Sequence, residues 1–529
     1  MSNISLFPAK YQELKNHLRK IQNLENAASI LNWDQTTYMP NGGSYARGQQ
    51  IATLKELAHE KLTDPTMGQL LEDLRSYEQS SPYDSTEASL IRVARRDYER
   101  AIRIPSKFMA KFCQHQAISY ETWVKAKFLK DFSIVQPYLE KTLELSQELA
   151  SFFPYKHIAD PLIDLVDEGM TVSILRPLFS KLRQKLRPIV EAITDTPPID
   201  DSCLHQYYSR EQQLNFGYIV IKRIGFDFQR GRLDVTPHPF TSSFSIGDVR
   251  ITTRIYENNF SEGLFSTIHE AGHALYEQGI GKELEGTLLA GGISSGIHES
   301  QSRLWENIVA RSRGFWECFY PQLQGTFLKQ LSSTSVSKFY QAINRVAKSA
   351  IRTDADEVTY NLHIMIRFDL ELAMLEGKLA VKDLPEAWNE LYKKDLGLVP
   401  ANNSEGVMQD VHWYGEMIGG MFQGYTLGNL IAAQIYQAAI KYNPEIPVGI
   451  EQGNFDLLRQ WLKQNIHQHG RKYTANELIY RITGKPLSID PFIDYIQDKY
   501  SNMYDLKGCL LYTSPSPRDI SGSRMPSSA

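Results

Sequence analysis

The stretch Ser266-Thr267-Ile268-His269-Glu270-Ala271-Gly272-His273-Ala274-Leu275-Tyr276-Glu277-Gln278-Gly279 carries two histidines four positions apart. On a helix, positions i and i+4 share one face, so both imidazoles reach a single metal ion. Glu270 follows the first histidine and can touch a water on that metal. This is the zinc-hydrolase pattern of two ligands and a general base. Leu264, Ile268, Gly272 and Leu275 mark one helical stripe, and Gly279 offers a stop. Ala271 and Gly272 keep the ligand turn slim, which leaves room beside the metal. The competing interpretation is an amphipathic helix with two hydrogen-bonded histidines, so the surroundings must decide.

A catalytic zinc takes three protein ligands and keeps one open position. After a loop containing Gly286, Gly291, Gly292 and Gly296 comes IHESQSRLWENIVARS, beginning at Ile297. Its Ile297, Leu304 and Ile308 recur at near-helical spacing, which projects Glu299 from an early turn of a second helix. A carboxylate from a second helix, a few tens of residues on, is the gluzincin pattern. Glu306 is the rival third ligand, although Trp305-Glu306-Asn307 reads more like helix packing. His298 points to a different helix face from Glu299 and reads as support for the site.

Around these segments the chain reads as predominantly helical. Tyr11, Leu14, Leu18, Ile21, Leu24, Ala28 and Leu31 alternate by threes and fours, the signature of a long amphipathic helix. Similar patterns run through 45–75, 85–130, 134–152, 172–194, 210–224, 302–330, 335–349, 355–378 and 425–442. The exception is 233–257, rich in Thr, Ser, Val, Ile and Phe, with a Ser245-Ile246-Gly247-Asp248 turn between two strand-like runs. It predicts a small antiparallel hairpin just before the metal helix, whose edge can pair with an extended peptide or be purely structural. The expected fold is mainly α: a large helical body with a deep substrate groove and a small antiparallel β-sheet beside the metal site.

Composition sets bounds on partners and compartment. The chain has 529 residues, of which 42% are hydrophobic and 22% charged, as in an ordinary soluble globular protein. The net charge of −4, with both signs interspersed, gives no sign of a nucleic-acid or polyanion partner. No apolar run approaches the ~20 residues that span a bilayer. The opening MSNISLFPAKYQELKNHLRK lacks a signal peptide's apolar core. Cys113, Cys203, Cys318 and Cys509 show no paired spacing, which points to a reducing, cytoplasmic compartment. The final GCLLYTSPSPRDISGSRMPSSA is Ser- and Pro-rich without periodicity. We expect 508–529 to be a disordered, artefactual tail.

Six ordered segments together resemble the carboxypeptidase Taq family of zinc metallocarboxypeptidases. They are HEAGH with His298-Glu299-Ser300-Gln301; His238-Pro239-Phe240; Asp248, Arg250 and Thr252 in DVRIT; Ile351-Arg352 with Ala355-Asp356 in IRTDAD; Gly406, Gln409, Asp410, His412 and Trp413 in GVMQDVHW; and the N-terminal NWDQTTYMPNGGSYARGQQ. The resemblance covers about residues 1–507. It implies one metallocarboxypeptidase domain there, with the helical part at about 1–90 forming one groove wall. It also favours Glu299 over Glu306 as third ligand, and implies a homodimer with poor action at proline.

The chemistry follows from these residues. Zinc lowers the pKa of bound water towards ~7 and polarises the scissile carbonyl. Glu270 takes the proton of that water and delivers it to the departing amine. A carboxypeptidase must also grip a free α-carboxylate, which suits the planar fork of arginine. Arg352 is the first choice and Arg250 the second, both lying in family motifs. Either could instead sit in an internal ion pair, for instance with Asp356 or Asp248. His412 and Tyr425 are candidate donors to the oxyanion, or else packing groups in the groove wall.

Trp413, Tyr414, Gly415, Gly419 and Gly420 suggest a tight, mobile substrate-side segment. His238 offers outer or substrate-side support, and His363 reads as core. Asp248, Asp354, Asp356, Asp410 and Gln301 are candidate outer partners for the ligand histidines. Zinc is the expected metal, with cobalt or manganese tolerated by the same donors. The expected activity is a broad-specificity metallocarboxypeptidase acting on peptides with a free C-terminus. Its rivals are an oligopeptidase or aminopeptidase on the same site, and a non-catalytic peptide-binding protein, which would have no use for Glu270.

Overall fold

The computed structural model describes residues 6–506, so the expected tail at 508–529 and Cys509 lie outside the described residues. The first long helix, α1 (Leu6–Thr37), buries Leu14, Leu18 and Ile21 on one face, as their spacing requires. It shares a small core with α2 (Thr86–Arg103), through Leu90 and Ile91, and with Leu71. Ile246, Ile280, Leu284 and Leu289 complete that core from the rest of the chain. The expected helical run over 85–130 is two helices, because Ile104 turns extended before Pro105.

The sheet has three strands: β1 (Gly231–Val235), β2 (Thr241–Ser245) and β3 (Asp248–Thr253). The hairpin of β2 and β3 is antiparallel, as the turn at Ile246-Gly247 predicts, with a bulge between Ser243 and Ser245. A strand not foreseen, β1, pairs with β3 in parallel. The sheet is therefore mixed, in the order β1-β3-β2, because the chain through β2 serves as the crossover.

Next comes α3 (Phe260–Gly279), capped by the Asn259 side chain, which accepts from the Glu262 N–H. It is buried almost all round and packs on β3, where the Thr267 hydroxyl donates to the Thr253 hydroxyl at 2.8 Å. It does end at Gly279, but not through a left-handed glycine. A Cβ there would sit 2.5 Å from His467 Nδ1, so the glycine serves close packing.

Glu299 lies on α4 (Ser295–Arg303), which runs into a π-helical turn at Leu304–Val309. That turn interrupts the helix expected over 302–330. Two further helices close the site, α5 (Tyr360–Leu375) and α6 (Gln423–Tyr442).

Glycines set how closely α4 approaches its neighbours. A Cβ on Gly272 would lie 2.6 Å from Ser302 Cα, and one on Gly428 2.6 Å from Glu299 Cβ. So α4 is wedged between α3 and α6, and the slimness at Gly272 admits a helix instead of leaving space beside the metal. Asp167 ties the starts of both helices together, accepting from the Gly296 N–H at 2.7 Å and from Gln423 Nε2 at 3.2 Å. Among the described residues no helix is long and apolar enough to cross a membrane.

Candidate metal centre and active site

A cavity of about 430 Å³ opens between β2, α3, α4 and the start of α6, with Phe240, Thr241, Glu270, His298 and Tyr425 among its walls. At its base, His269 Nε2 and His273 Nε2 lie 3.7 and 3.6 Å from Glu299 Oε2. Donors holding one tetrahedral ion at 2.0–2.2 Å stand about 3.3–3.6 Å apart, so the three residues fit one divalent metal. Among the described residues this is the one group of three or more His, Cys, Asp or Glu side chains gathered closely enough to do so.

Each donor is oriented from behind. His269 Nδ1 lies 2.8 Å from Glu306 Oε2; with Nε2 turned to Glu299, Nδ1 carries the proton and donates. Glu306, the rival ligand, thus sits behind a histidine. Arg303 Nε donates to Glu299 Oε1 at 2.7 Å and its Nη1 to Glu306 Oε2 at 3.1 Å, leaving Glu299 Oε2 to the histidines. Burial pushes the Glu306 carboxyl up, but Arg303 and His269 outweigh it and hold it down at about 2. Behind His273, Nδ1 lies 2.6 Å from His298 Nδ1, and His298 Nε2 lies 2.9 Å from Glu277 Oε1.

Glu270 faces the cavity one residue after His269. The Thr241 hydroxyl, from β2, donates to Glu270 Oε2 at 2.6 Å and fixes the carboxylate's orientation. Burial pushes this carboxyl up, in the direction that suits proton exchange near neutral pH.

The arginines are already engaged. Arg352 Nε and Nη2 donate to Asp410 Oδ1 at 2.9 and 2.8 Å, and Nη1 to the Tyr360 hydroxyl at 2.9 Å. Arg367 Nε takes the other oxygen of Asp410 at 2.6 Å. The ion-pair partner of Arg352 is therefore Asp410 and not Asp356, which instead accepts the N–H groups of Val358 and Thr359. Burial opposes ionisation of Asp410, yet Arg352 and Arg367 together hold it far below the usual carboxylate range. Arg250 pairs with Asp248, at 2.8 Å for both bonds, and its guanidinium lies over the Trp33 ring of α1.

His412 Nε2 lies 3.0 Å from the Tyr425 hydroxyl. Burial, then Arg352, lowers His412 to about 4, so its ring is neutral at neutral pH. Burial pushes the Tyr425 hydroxyl well up, so it keeps its proton. His238 is exposed, next to Pro239 in the cavity wall. The segment after His412 is tightly packed: Trp413 Nε1 donates to Glu371 at 2.8 Å, and a Cβ on Gly420 would meet the Leu162 carbonyl at 2.6 Å. His363 is buried core, with Nδ1 3.0 Å from the Tyr392 hydroxyl.

None of the five candidate outer partners bonds a ligand histidine. Asp248 and Asp410 are held by arginines, Asp356 by backbone, Asp354 by Thr353, and Gln301 faces His467. The residues that do surround the ligands were missed or assigned elsewhere: Arg303, Glu306, Thr241 and Glu277. Two had a local signal. Arg303 follows Glu299 by four residues and Glu277 follows His273 by four, so each shares a helix face with a ligand. Nothing local marks Thr241.

Comparison with known proteins gives the family. A family model described as carboxypeptidase Taq (M32) metallopeptidase matches residues 13–500. Thermostable carboxypeptidase 1 of Thermus thermophilus is 40% identical over 507 residues, covering 94% of this chain and 99% of that protein. Carboxypeptidase 1 of Bacillus subtilis is 36% identical, covering 92% and 97%. The crystal structure of the M32 carboxypeptidase from Deinococcus radiodurans superposes with a TM-score of 0.91 at 43% identity, covering 94% and 100%. The chain belongs to the carboxypeptidase Taq (M32) metallopeptidase family.

Proposed function

We propose that this protein is a metal-dependent carboxypeptidase that removes C-terminal residues from peptides with broad side-chain tolerance. The observation that carries the reading is Glu270, oriented by Thr241 in the cavity beside three converging donors. His269, His273 and Glu299 would hold the metal, with zinc as the favoured ion and cobalt or manganese tolerated. When bound, the metal supplies the Lewis acidity that makes water nucleophilic near neutral pH. Glu270 accepts a proton from the attacking water and returns it to the departing amine.

Tyr425 lines the cavity and donates a hydrogen bond from its hydroxyl to the developing oxyanion. His412 orients it. His412 Nδ1 is buried without a partner, and an unprotonated nitrogen is the cheaper atom to leave bare. Nε2 then carries the proton and donates to the Tyr425 oxygen, freeing the phenolic proton for substrate.

Two guanidiniums share one carboxylate at Arg352, Asp410 and Arg367, so one positive charge is left over beside Tyr425, 5.2 Å from Arg352. That surplus supports Arg352 as the group that draws in the substrate carboxylate, with Arg250 second and His238 as support at the rim. The free edge of β2 suits pairing with the substrate backbone. We read residues 1–507 as one domain, and the helices at about 1–90 as one groove wall, supported by the packing of α1 on β2. Cys113, Cys203 and Cys318 are free, which supports a cytoplasmic location; family resemblance supports a homodimer.

Mass spectrometry of a free and a C-terminally amidated peptide, with and without added metal, tests this. Stepwise, metal-dependent loss from the free end alone is expected. Internal cleavage of the amidated peptide would instead mean an oligopeptidase.

A further inference from the structure

We propose that Glu277 is a positioning residue for the metal, acting through His298 on His273. The proposal rests on reading His273 as a ligand. The chain of contacts is short: His273 Nδ1 to His298 Nδ1 at 2.6 Å, then His298 Nε2 to Glu277 Oε1 at 2.9 Å. Its direction is forced. His273 turns Nε2 towards Glu299, so a ligating ring carries its proton on Nδ1 and donates it outward. His298 Nδ1 must then be the acceptor, which puts the His298 proton on Nε2. The Glu277 carboxylate oxygen accepts from that N–H, so it selects this tautomer. Without this carboxylate, the His298 proton is free to move to Nδ1. There it would face the His273 N–H, and the contact between the rings would fail.

The packing around His298 is built for this role. The Tyr276 ring lies 5.2 Å from the His298 ring, and a Cβ on Gly292 would collide with His298 Cδ2. Gly292 is not in the left-handed region, so its glycine serves space and not backbone conformation. Glu277 itself is buried one helical turn beyond His273. The two ligand histidines thus differ in kind. His269 leans directly on a carboxylate, Glu306, whereas His273 reaches one only through a second ring.

The test is metal affinity by chelator competition on the full chain, alongside thermal midpoints with and without zinc. Glu277→Leu is expected to raise the metal Kd about 10- to 100-fold while leaving the metal-free midpoint unchanged. Gly292→Ala should weaken binding in the same direction with Glu277 intact, by displacing the His298 ring. Glu277→Gln, which retains an acceptor oxygen, should fall between parent and Glu277→Leu.

The cobalt-loaded protein gives a second readout, since a shifted His273 alters its visible spectrum. A His273→Ala control separates the two layers of the argument. If it binds zinc as the parent does, the ligand assignment itself fails. If it loses zinc while Glu277→Leu and Gly292→Ala retain parental affinity, the positioning role is overturned. A lowered metal-free midpoint with unchanged affinity in the folded protein would likewise reduce Glu277 to a packing residue.

Discussion

The metal end of the cavity and its arginine end are built on opposite plans. At the metal end, three donors point inward and every outward-facing atom considered above is paired: Glu306 behind His269, Arg303 behind Glu299, His298 behind His273. The cluster is satisfied outward and presents its donors to the cavity, which is how a protein preorganises a site for an ion. At the other end, Arg352 spends its guanidinium on Asp410 and Tyr360, while Arg367 gives its Nε to the other oxygen of Asp410. What they offer is not a vacant fork but an uncancelled charge in a buried setting. On the proposed reading, bond cleavage depends on aligned atoms, and selection of a chain end on a field.

Four experiments break or sharpen this contrast, and the largest effect belongs to the metal end. Glu270→Gln should lower kcat by about 10²- to 10⁴-fold and retain a full complement of metal. Metal analysis beside a rate assay checks it, and an active, metal-replete variant would sink the mechanism. Arg303→Met comes next, because it releases Glu299 Oε1 and removes one of the cationic partners that hold Glu306 behind His269. Chelator competition should show affinity weakened about 10- to 100-fold; parental affinity would mean that α4 packing alone holds Glu299.

At the arginine end, Arg352→Gln should raise KM about 10-fold for peptides with a free carboxylate, because it removes the positive charge that Asp410 leaves uncancelled. Its metal affinity should match the parent, and a change there would erase the division between the two ends.

The smallest effect concerns Glu371, buried beside Trp413. Burial raises its carboxyl from 4.5 to about 7, with the Trp413 bond and Arg367 only partly opposing. Because the folded-state value is raised, its protonated form stabilises the fold below pH 4.5. That contribution is lost as pH rises through about 7. Glu371→Gln keeps an acceptor for Trp413 and should therefore match the parent near pH 4.5 and exceed it by roughly 1–3 kcal/mol above pH 7. Melting curves across that range decide it, and parallel profiles would show that Arg367 keeps Glu371 ionised.

The sequence was most legible where geometry is local. Helical periodicity found the body of α1 and placed α6 to within two residues of its start, and the run predicted at 210–224 is the helix Arg210–Ile224. The hairpin could be read because strand alternation and its turn are adjacent in the chain. The parallel β1 could not, since its pairing with β3 spans the whole of β2. Gly272 was misread for a similar reason: its missing side chain answers to Ser302 on another helix, which no local pattern reveals.

By itself, the sequence determined that His269 and His273 share a helix face with Glu270 between them, because 3.6 residues per turn leaves no other arrangement. It also pointed to Glu299 through the spacing of its helix and the family resemblance. Only the tertiary structure decided that Glu306 stands behind His269 and His298 behind His273, and which carboxylate occupies Arg352. Those pairings join α3 to α4 and to the π-helical turn after it, and the segment at 352 to that at 410, across distances in sequence over which no periodicity carries information. Charge pairs form where packing brings them, and the packing here is set by glycines that let whole helices touch.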